Sequence, residues 1–93
     1  MRFSLAVTVD RRLKKLKRTQ PQTFRKIRKQ LLLFRQDHTH PSLRHHKLKG
    51  NLKETWSISI ERNMRMVYYI SSGQAVFFLI GSHDEVYRDT KSS

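Results

Sequence analysis

The sequence predicts an α+β fold of the order β-α-α-β-β-β, with two N-terminal helices on one face of a four-stranded, mostly antiparallel sheet. Three observations predict it: an alternating apolar pattern opens the chain, two segments with helical spacing follow, and three strand patterns with tight turns close it. Ninety-three residues are the length of one small domain, which we expect to span residues 1–93.

The first strand and the first helix follow from the spacing of apolar residues. A half-buried strand is predicted from the alternating residues Phe3, Leu5, Val7 and Val9. Asp10 is then expected to cap a short helix. The inner face of that helix carries Leu13 and Leu16, and the remaining face is rich in lysine and arginine.

The second helix has a stronger signal. The segment Thr19-Gln20-Pro21-Gln22 resembles a capping box with proline in the first turn, so a helix is predicted to start here and to end near Asp37. Its apolar stripe recurs at helical spacing and is expected to face the core. The stripe consists of Phe24, Ile27, Leu31 and Phe34.

The second half of the chain reads as a loop followed by three strands. Residues 38–53 are polar and contain four histidines, and they are predicted to be a loop. Alternation then predicts strands at 55–61 and 64–70, joined by a tight turn at Arg62-Asn63. Residues 71–74 form a second turn, and 75–80 is a continuous apolar run that favours a central strand covered on both faces. Elsewhere the face opposite the helices is expected to stay open.

The charge of the chain indicates its partners. It carries 20 Lys and Arg against 7 Asp and Glu, a net charge of +13, and residues 1–53 hold 16 of those cations with 2 acids. Such one-sided charge favours a nucleic acid or an acidic protein as partner, and the alternative is a solvated helix face. With no cysteine, no apolar run long enough for a bilayer and no signal peptide expected, we predict a cytoplasmic protein without a membrane partner.

Arg65 on the open face, and His83 and Tyr87 after the last strand, are candidates for chemistry. Arg65 lies mid-strand among apolar neighbours, where a guanidinium needs an anion; a phosphate suits it, and the alternative is a structural salt bridge to Glu61 or Glu85. His83 follows the last strand and Tyr87 lies four residues on, so a helical turn puts both on one face. An imidazole there can give or take a proton, although a lone loop histidine is more often a surface residue.

The polar segment before the second strand adds further candidates. Lys47 and Lys49 alternate around Leu48 and are expected to point the same way, toward a phosphate backbone, with His46 beside them. A metal site is the rival interpretation of the histidine cluster, which consists of His38, His40, His45 and His46. Because residues 38–53 hold neither cysteine nor acid to complete a ligand set, no metal and no cofactor are expected.

Taken in order, these segments resemble the RelE/ParE superfamily of toxins from type II toxin–antitoxin systems, and within it the YafQ and YoeB branches. The resemblance covers nearly the whole chain. It rests on the element order and on four segments: His46-Lys47-Leu48-Lys49-Gly50, Trp56-Ser57-Ile58, Arg65-Met66-Val67-Tyr68 and Gly81-Ser82-His83-Asp84-Glu85-Val86-Tyr87.

The resemblance implies a ribosome-dependent, metal-free endoribonuclease, an mRNA interferase that cuts mRNA in the A site of the 30S subunit by attack of a 2′-hydroxyl. His83 would be general acid or base, Arg65 would stabilise the charge on the reacting phosphate, and Tyr87 would position or stack on the substrate. His46 would match a histidine of YafQ. RNA contacts are expected from Lys47, Lys49, Arg62 and Lys53. The second implied partner is a cognate acidic antitoxin.

Two positions depart from the YafQ pattern. Ser59 and Asn63 stand where the resemblance leads one to expect a histidine and an aspartate, which leaves His46 or Glu61 as the second proton-transfer group. Two alternative functions are a ParE-like inhibitor of DNA gyrase without ribonuclease activity and a non-enzymatic, basic RNA-binding module. His83 argues against the gyrase inhibitor, whereas charge alone permits the RNA-binding module.

Overall fold

The structure is a computed structural model that describes residues 1–48 and 54–90. In this part of the chain, five strands and three α-helices follow one another with a 3-10 turn at Pro41–Leu43. Their bounds are β1 Phe3–Leu5, α1 Val7–Thr19, α2 Pro21–Gln36, β2 His46–Leu48, β3 Thr55–Glu61, β4 Met64–Ser71, β5 Gln74–Gly81 and α3 His83–Thr90. None of the described helices has the length and apolar character needed to cross a membrane.

The α+β fold is confirmed, but the sheet has five strands in the described residues instead of four. They lie in the order β1-β5-β4-β3-β2, with β1 parallel to β5 and every other pair antiparallel. The additional strand is β2, which falls in the predicted loop. It has three residues, and all three pair with β3. Because this pairing stabilises β2, the strand carries no long apolar pattern that would have predicted it.

The start of α1 differs from the prediction. β1 ends at Leu5 and the helix already begins at Val7, so Asp10 lies in its first turn rather than capping it. The reason is that Val9 lies on the same helix face as Leu13 and is buried with it. Asp10 instead makes an i,i+4 ion pair with Lys14 at 3.1 Å.

The bounds of α2 agree with the prediction, whereas the capping box is wrong. Pro21 is the first helical residue and the helix ends at Gln36, with Asp37 as its C-cap. Gln20 caps the start without a side-chain hydrogen bond. Thr19 cannot cap α2 because it is the last residue of α1, where its hydroxyl donates to the Lys15 carbonyl at 2.8 Å.

The main core lies between the two long helices and the sheet. Phe34 of α2 is fully buried, and its ring centroid lies 5.0 Å from that of Tyr68 and 5.1 Å from that of Phe77. Ile27 and Leu31 of the predicted stripe are also buried, and Phe24 packs at the edge of the cluster. This face therefore supplies most of the apolar burial that stabilises the fold.

The opposite face is less open than predicted, because α3 folds back over part of it. Val86 of α3 is fully buried against Leu48 and Val67, with Phe78 and Leu79 at the margin. β5 lies between β1 and β4 and contributes to both clusters, as its continuous apolar run predicted. Arg65, close to the β3–β4 turn on this face, remains partly exposed.

Candidate active site

The start of α3 is fixed by a capping box that sequence analysis did not identify. The Ser82 hydroxyl accepts from the Glu85 backbone N–H, and a Glu85 carboxylate oxygen accepts from the Ser82 N–H, both at 3.1 Å. His83 is the first residue of the helix. The signal was in the sequence as Ser82-His83-Asp84-Glu85, which has the spacing of a capping box.

Three rings lie close together at this helix. The His83 and Tyr87 centroids are 4.3 Å apart, as expected for residues one helical turn apart, and the His46 centroid lies 6.4 Å from that of Tyr87. The His83 side chain is 57% exposed, and its Nδ1 lies 3.8 Å from an Asp84 carboxylate oxygen. The structure thus brings together three of the four predicted catalytic residues.

The fourth, Arg65, is held beside them by neutral groups. Its Nε and Nη2 donate to the Ser57 hydroxyl at 3.0 and 2.8 Å, and Nη2 also donates to the Arg44 carbonyl at 3.0 Å. Within the described residues the guanidinium contacts no carboxylate, so the alternative of a salt bridge to Glu61 or Glu85 is not observed.

Burial sets the electrostatics of Arg65. It lowers the pKa of the guanidinium, Tyr87 raises that pKa and Arg44 lowers it. A guanidinium nevertheless remains charged at neutral pH. Because its protein partners are neutral, the site keeps an uncompensated positive charge that favours an anion.

Arg44 is a residue that sequence analysis missed. It ends the 3-10 turn with φ 47° and ψ 49°, and this left-handed conformation directs its carbonyl to Arg65. In the sequence it is one of 20 basic residues. A left-handed residue is usually glycine or asparagine, so an arginine gave no sign of this conformation. Its carbonyl accepts a hydrogen bond from Arg65, which lies 21 residues further along the chain.

Arg65 and His83 both line a polar cleft of about 700 Å³ between α2, the 3-10 turn and the β3–β4 turn. Its other walls are formed by Gln30, Ser42, Arg44, Ser59, Ile60, Glu61 and Arg62. Ser59 is the cross-strand partner of Arg65. Glu61 is engaged at the rim by Lys26, whose Nζ lies 2.9 Å from its carboxylate. Asn63 is exposed in the turn, which has the predicted position.

Lys47, which was predicted to contact RNA, does not line this cleft. Lys47 lies on the helix side of the sheet, 3.1 Å from the Glu54 carboxylate and 6.0 Å from the centre of the Trp56 ring, because alternate residues of a strand point to opposite faces. It is therefore separated from His46. Lys49 and Lys53 lie outside the described residues.

The histidine cluster is also divided. Nε2 of His45 is hydrogen-bonded to the Tyr68 hydroxyl, and burial lowers the pKa of His45 while raising that of Tyr68 to about 12. His38 packs edge-on against His45 at 5.9 Å, and His40 caps the 3-10 turn. Among residues 1–48 and 54–90, no three His, Cys, Asp or Glu side chains are grouped to hold a metal ion.

Comparison with known proteins identifies a toxin family. The family model described as a bacterial toxin of type II toxin–antitoxin systems, YafQ, matches residues 1–88. No curated protein sequence matches the chain.

Solved structures share the fold at low identity. The YoeB/ParE toxin from Agrobacterium tumefaciens has 19% identity and a TM-score of 0.73, over 89% of this chain and 99% of that one. The YoeB dimer from Staphylococcus aureus has 18% identity and a TM-score of 0.69, over 89% and 97%. YafQ from E. coli strain BL21(DE3) has 15% identity and a TM-score of 0.67, over 94% and 99%.

Proposed function

Because the chain belongs to the YafQ family of bacterial toxins from type II toxin–antitoxin systems, we propose that it is an endoribonuclease that cleaves mRNA in the A site of the ribosome. The observation that carries the proposal is the placement of Arg65, which is half-buried and has only neutral protein partners among the described residues, on the same cleft as His83. A fixed cation beside an imidazole is suited to a reacting phosphodiester.

The reaction we propose is an internal transesterification. The 2′-oxygen attacks the adjacent phosphorus as a base takes the 2′-hydroxyl proton, and the bond from phosphorus to the 5′-oxygen breaks as an acid gives that oxygen a proton. The products are a 2′,3′-cyclic phosphate and a 5′-hydroxyl. Because side chains serve as base and acid, the step we propose uses no metal ion. The positive charge of the Arg65 guanidinium stabilises the negative charge that builds on the nonbridging oxygens.

We propose the proton-transfer groups from the three rings His83, Tyr87 and His46. His83 is the exposed imidazole on the cleft, and we propose it as general acid or base. Glu61 is neutralised by Lys26, so His46 is the better candidate for the second group. Tyr87 is the ring neighbour of both imidazoles, and its own ring can stack on a base.

Charge favours the two proposed partners, the ribosome with its mRNA and a cognate acidic antitoxin. A net charge of +13 attracts a polyanion, and such binding weakens as salt rises. Arg62 and Arg65 lie on the cleft itself. The remaining cations we expected to contact RNA are Lys47, Lys49 and Lys53, which stay proposals. Action on ribosomes would place the protein in the cytoplasm.

His83→Ala tests this function. We expect growth arrest on expression to be lost, and cleavage by the purified protein on programmed ribosomes to fall roughly 10²- to 10⁴-fold, the usual contribution of a general acid or base. The measurement is the rate of appearance of mRNA fragments with 5′-hydroxyl and 2′,3′-cyclic phosphate ends. Gln36→Ala, an exposed change on α2 away from the cleft, is the control.

Two outcomes would contradict the proposal. Growth arrest with intact mRNA and DNA breaks trapped on gyrase would favour the gyrase inhibitor. Arrest with intact mRNA and no effect on gyrase would favour the RNA-binding module. If His83→Ala still cleaves at the rate of Gln36→Ala, the ribonuclease assignment survives but His83 has no part in proton transfer.

A further inference from the structure

Gln30 is a buried polar residue on the wall of the cleft, and the proposed reaction does not use it. It belongs to α2, only 9% of it is exposed, and it borders the same cleft as Arg65 and His83. Its Nε2 donates to the Ser59 carbonyl at 2.9 Å and to the Ser42 carbonyl at 3.4 Å. The side chain therefore joins the helix to β3 and to the 3-10 turn.

These two contacts fix the orientation of the amide. Backbone carbonyls can only accept hydrogen bonds, so the NH₂ group must face them and Oε1 must point elsewhere. In the described residues no protein group donates to Oε1, and no buried side-chain nitrogen or oxygen is left without a partner. Oε1 is therefore not completely buried, and the cleft is the opening that Gln30 borders.

We propose that Gln30 Oε1 reads one nucleobase of the mRNA, in a subsite next to the phosphate bound by Arg65. The inference rests on the proposed ribonuclease function and adds the residue that determines its base preference. A buried side chain held by two hydrogen bonds keeps its acceptor in one place, which is the requirement for reading a base edge. A cleft of about 700 Å³ lies within the range of small-ligand sites.

The chemistry of the subsite selects among the bases. Oε1 stands beside two backbone carbonyls, so this wall presents acceptors. Guanine offers adjacent N–H donors on its Watson–Crick edge and fits best, whereas uracil places carbonyl oxygens on both sides of its single N–H and fits worst. The guanidinium groups of Arg44 and Arg62 at the walls are suited to stack on the base.

The test compares Gln30→Lys and Gln30→Met with the wild type. The lysine ammonium can still donate to the two carbonyls but offers no acceptor, whereas methionine removes both functions at similar size. Purified proteins are assayed on ribosomes programmed with mRNAs that differ in one A-site base. The quantity measured is the ratio of cleavage rates with guanine and with uracil at each position. Gln36→Lys is the control, with the same change on an exposed part of α2.

We expect the wild type and Gln36→Lys to prefer guanine at one position, and both Gln30 variants to lower that ratio roughly three- to tenfold, as for the loss of one hydrogen bond. An unchanged ratio in the Gln30 variants, or no base preference in the wild type, overturns the role of Gln30. Neither result affects the proposed ribonuclease function. Failure of the wild type to cleave any of the mRNAs overturns both. Thermal unfolding confirms that each variant is folded, and the intact Gln30→Met protein suffices if Gln30→Lys unfolds.

Discussion

The two faces of the sheet differ in what holds their residues in place. On the helix side, Phe34, Tyr68 and Phe77 are almost fully buried and contact one another ring to ring. On the opposite face near the β3–β4 turn, Arg65 and His83 line a polar cleft and are held by hydrogen bonds and a helix cap. The difference indicates that stability depends mainly on one face and the proposed chemistry on the other.

This division has a physical cause. A cation is costly to bury, and the half-buried Arg65 offsets that cost with a hydroxyl and a carbonyl instead of a carboxylate. Neutral partners satisfy the donors without cancelling the charge. The apolar side chains of the helix-side core carry no such constraint, so packing decides them.

The largest effect that separates the two faces is expected from Phe34→Ala. It removes the ring at the centre of the helix-side core, and we expect the free energy of unfolding to fall by about 3–5 kcal/mol. Denaturant unfolding measures it. Leu32→Ala on the same helix is the control, because Leu32 is 52% exposed and should cost much less. Equal losses in the two variants would mean that the core is not centred on Phe34.

A smaller effect is expected from the hydrogen bond between His45 and Tyr68, which ties the loop before β2 to the helix-side core. Tyr68→Phe should lower the free energy of unfolding by about 0.5–1.5 kcal/mol, the usual worth of one hydrogen bond. Burial raises the pKa of Tyr68 to about 12, so the hydroxyl stays protonated near neutral pH. The loss of stability should therefore not depend on whether Tyr68 is ionised. Urea unfolding at pH 7.5 measures it.

His45 itself should make the fold sensitive to acid. Burial lowers its pKa below the ordinary 6.5, so the unfolded chain takes up the proton first and stability falls as the pH drops from about 6.5 toward the folded pKa. His45→Gln should reduce this fall, whereas Tyr68→Phe, which keeps the imidazole, should retain most of it. An unchanged acid response in His45→Gln would show that other groups cause it.

The sequence predicted the elements that depend on local pattern. The spacing in α2, the run in β5 and the turn at Arg62-Asn63 were all read from neighbouring residues, and so was the pairing of His83 with Tyr87. β2, the Arg44 carbonyl and Gln30 were missed because each depends on a hydrogen bond to a distant segment. Long-range contacts leave no periodic signal, so the part of the cleft wall formed by Gln30 and Arg44 could not be predicted.

The smallest effect is expected from Lys47→Gln, on the helix side of β2. Its ion pair with Glu54 joins two exposed side chains, so the free energy of unfolding should fall by less than about 0.5 kcal/mol at low salt and not at all in 1 M salt. A double-mutant cycle with Glu54→Gln isolates the pair from the contact between Lys47 and Trp56. A coupling well above 1 kcal/mol that persists in high salt would show that this edge of the helix-side face is stabilised by charge as well as by packing.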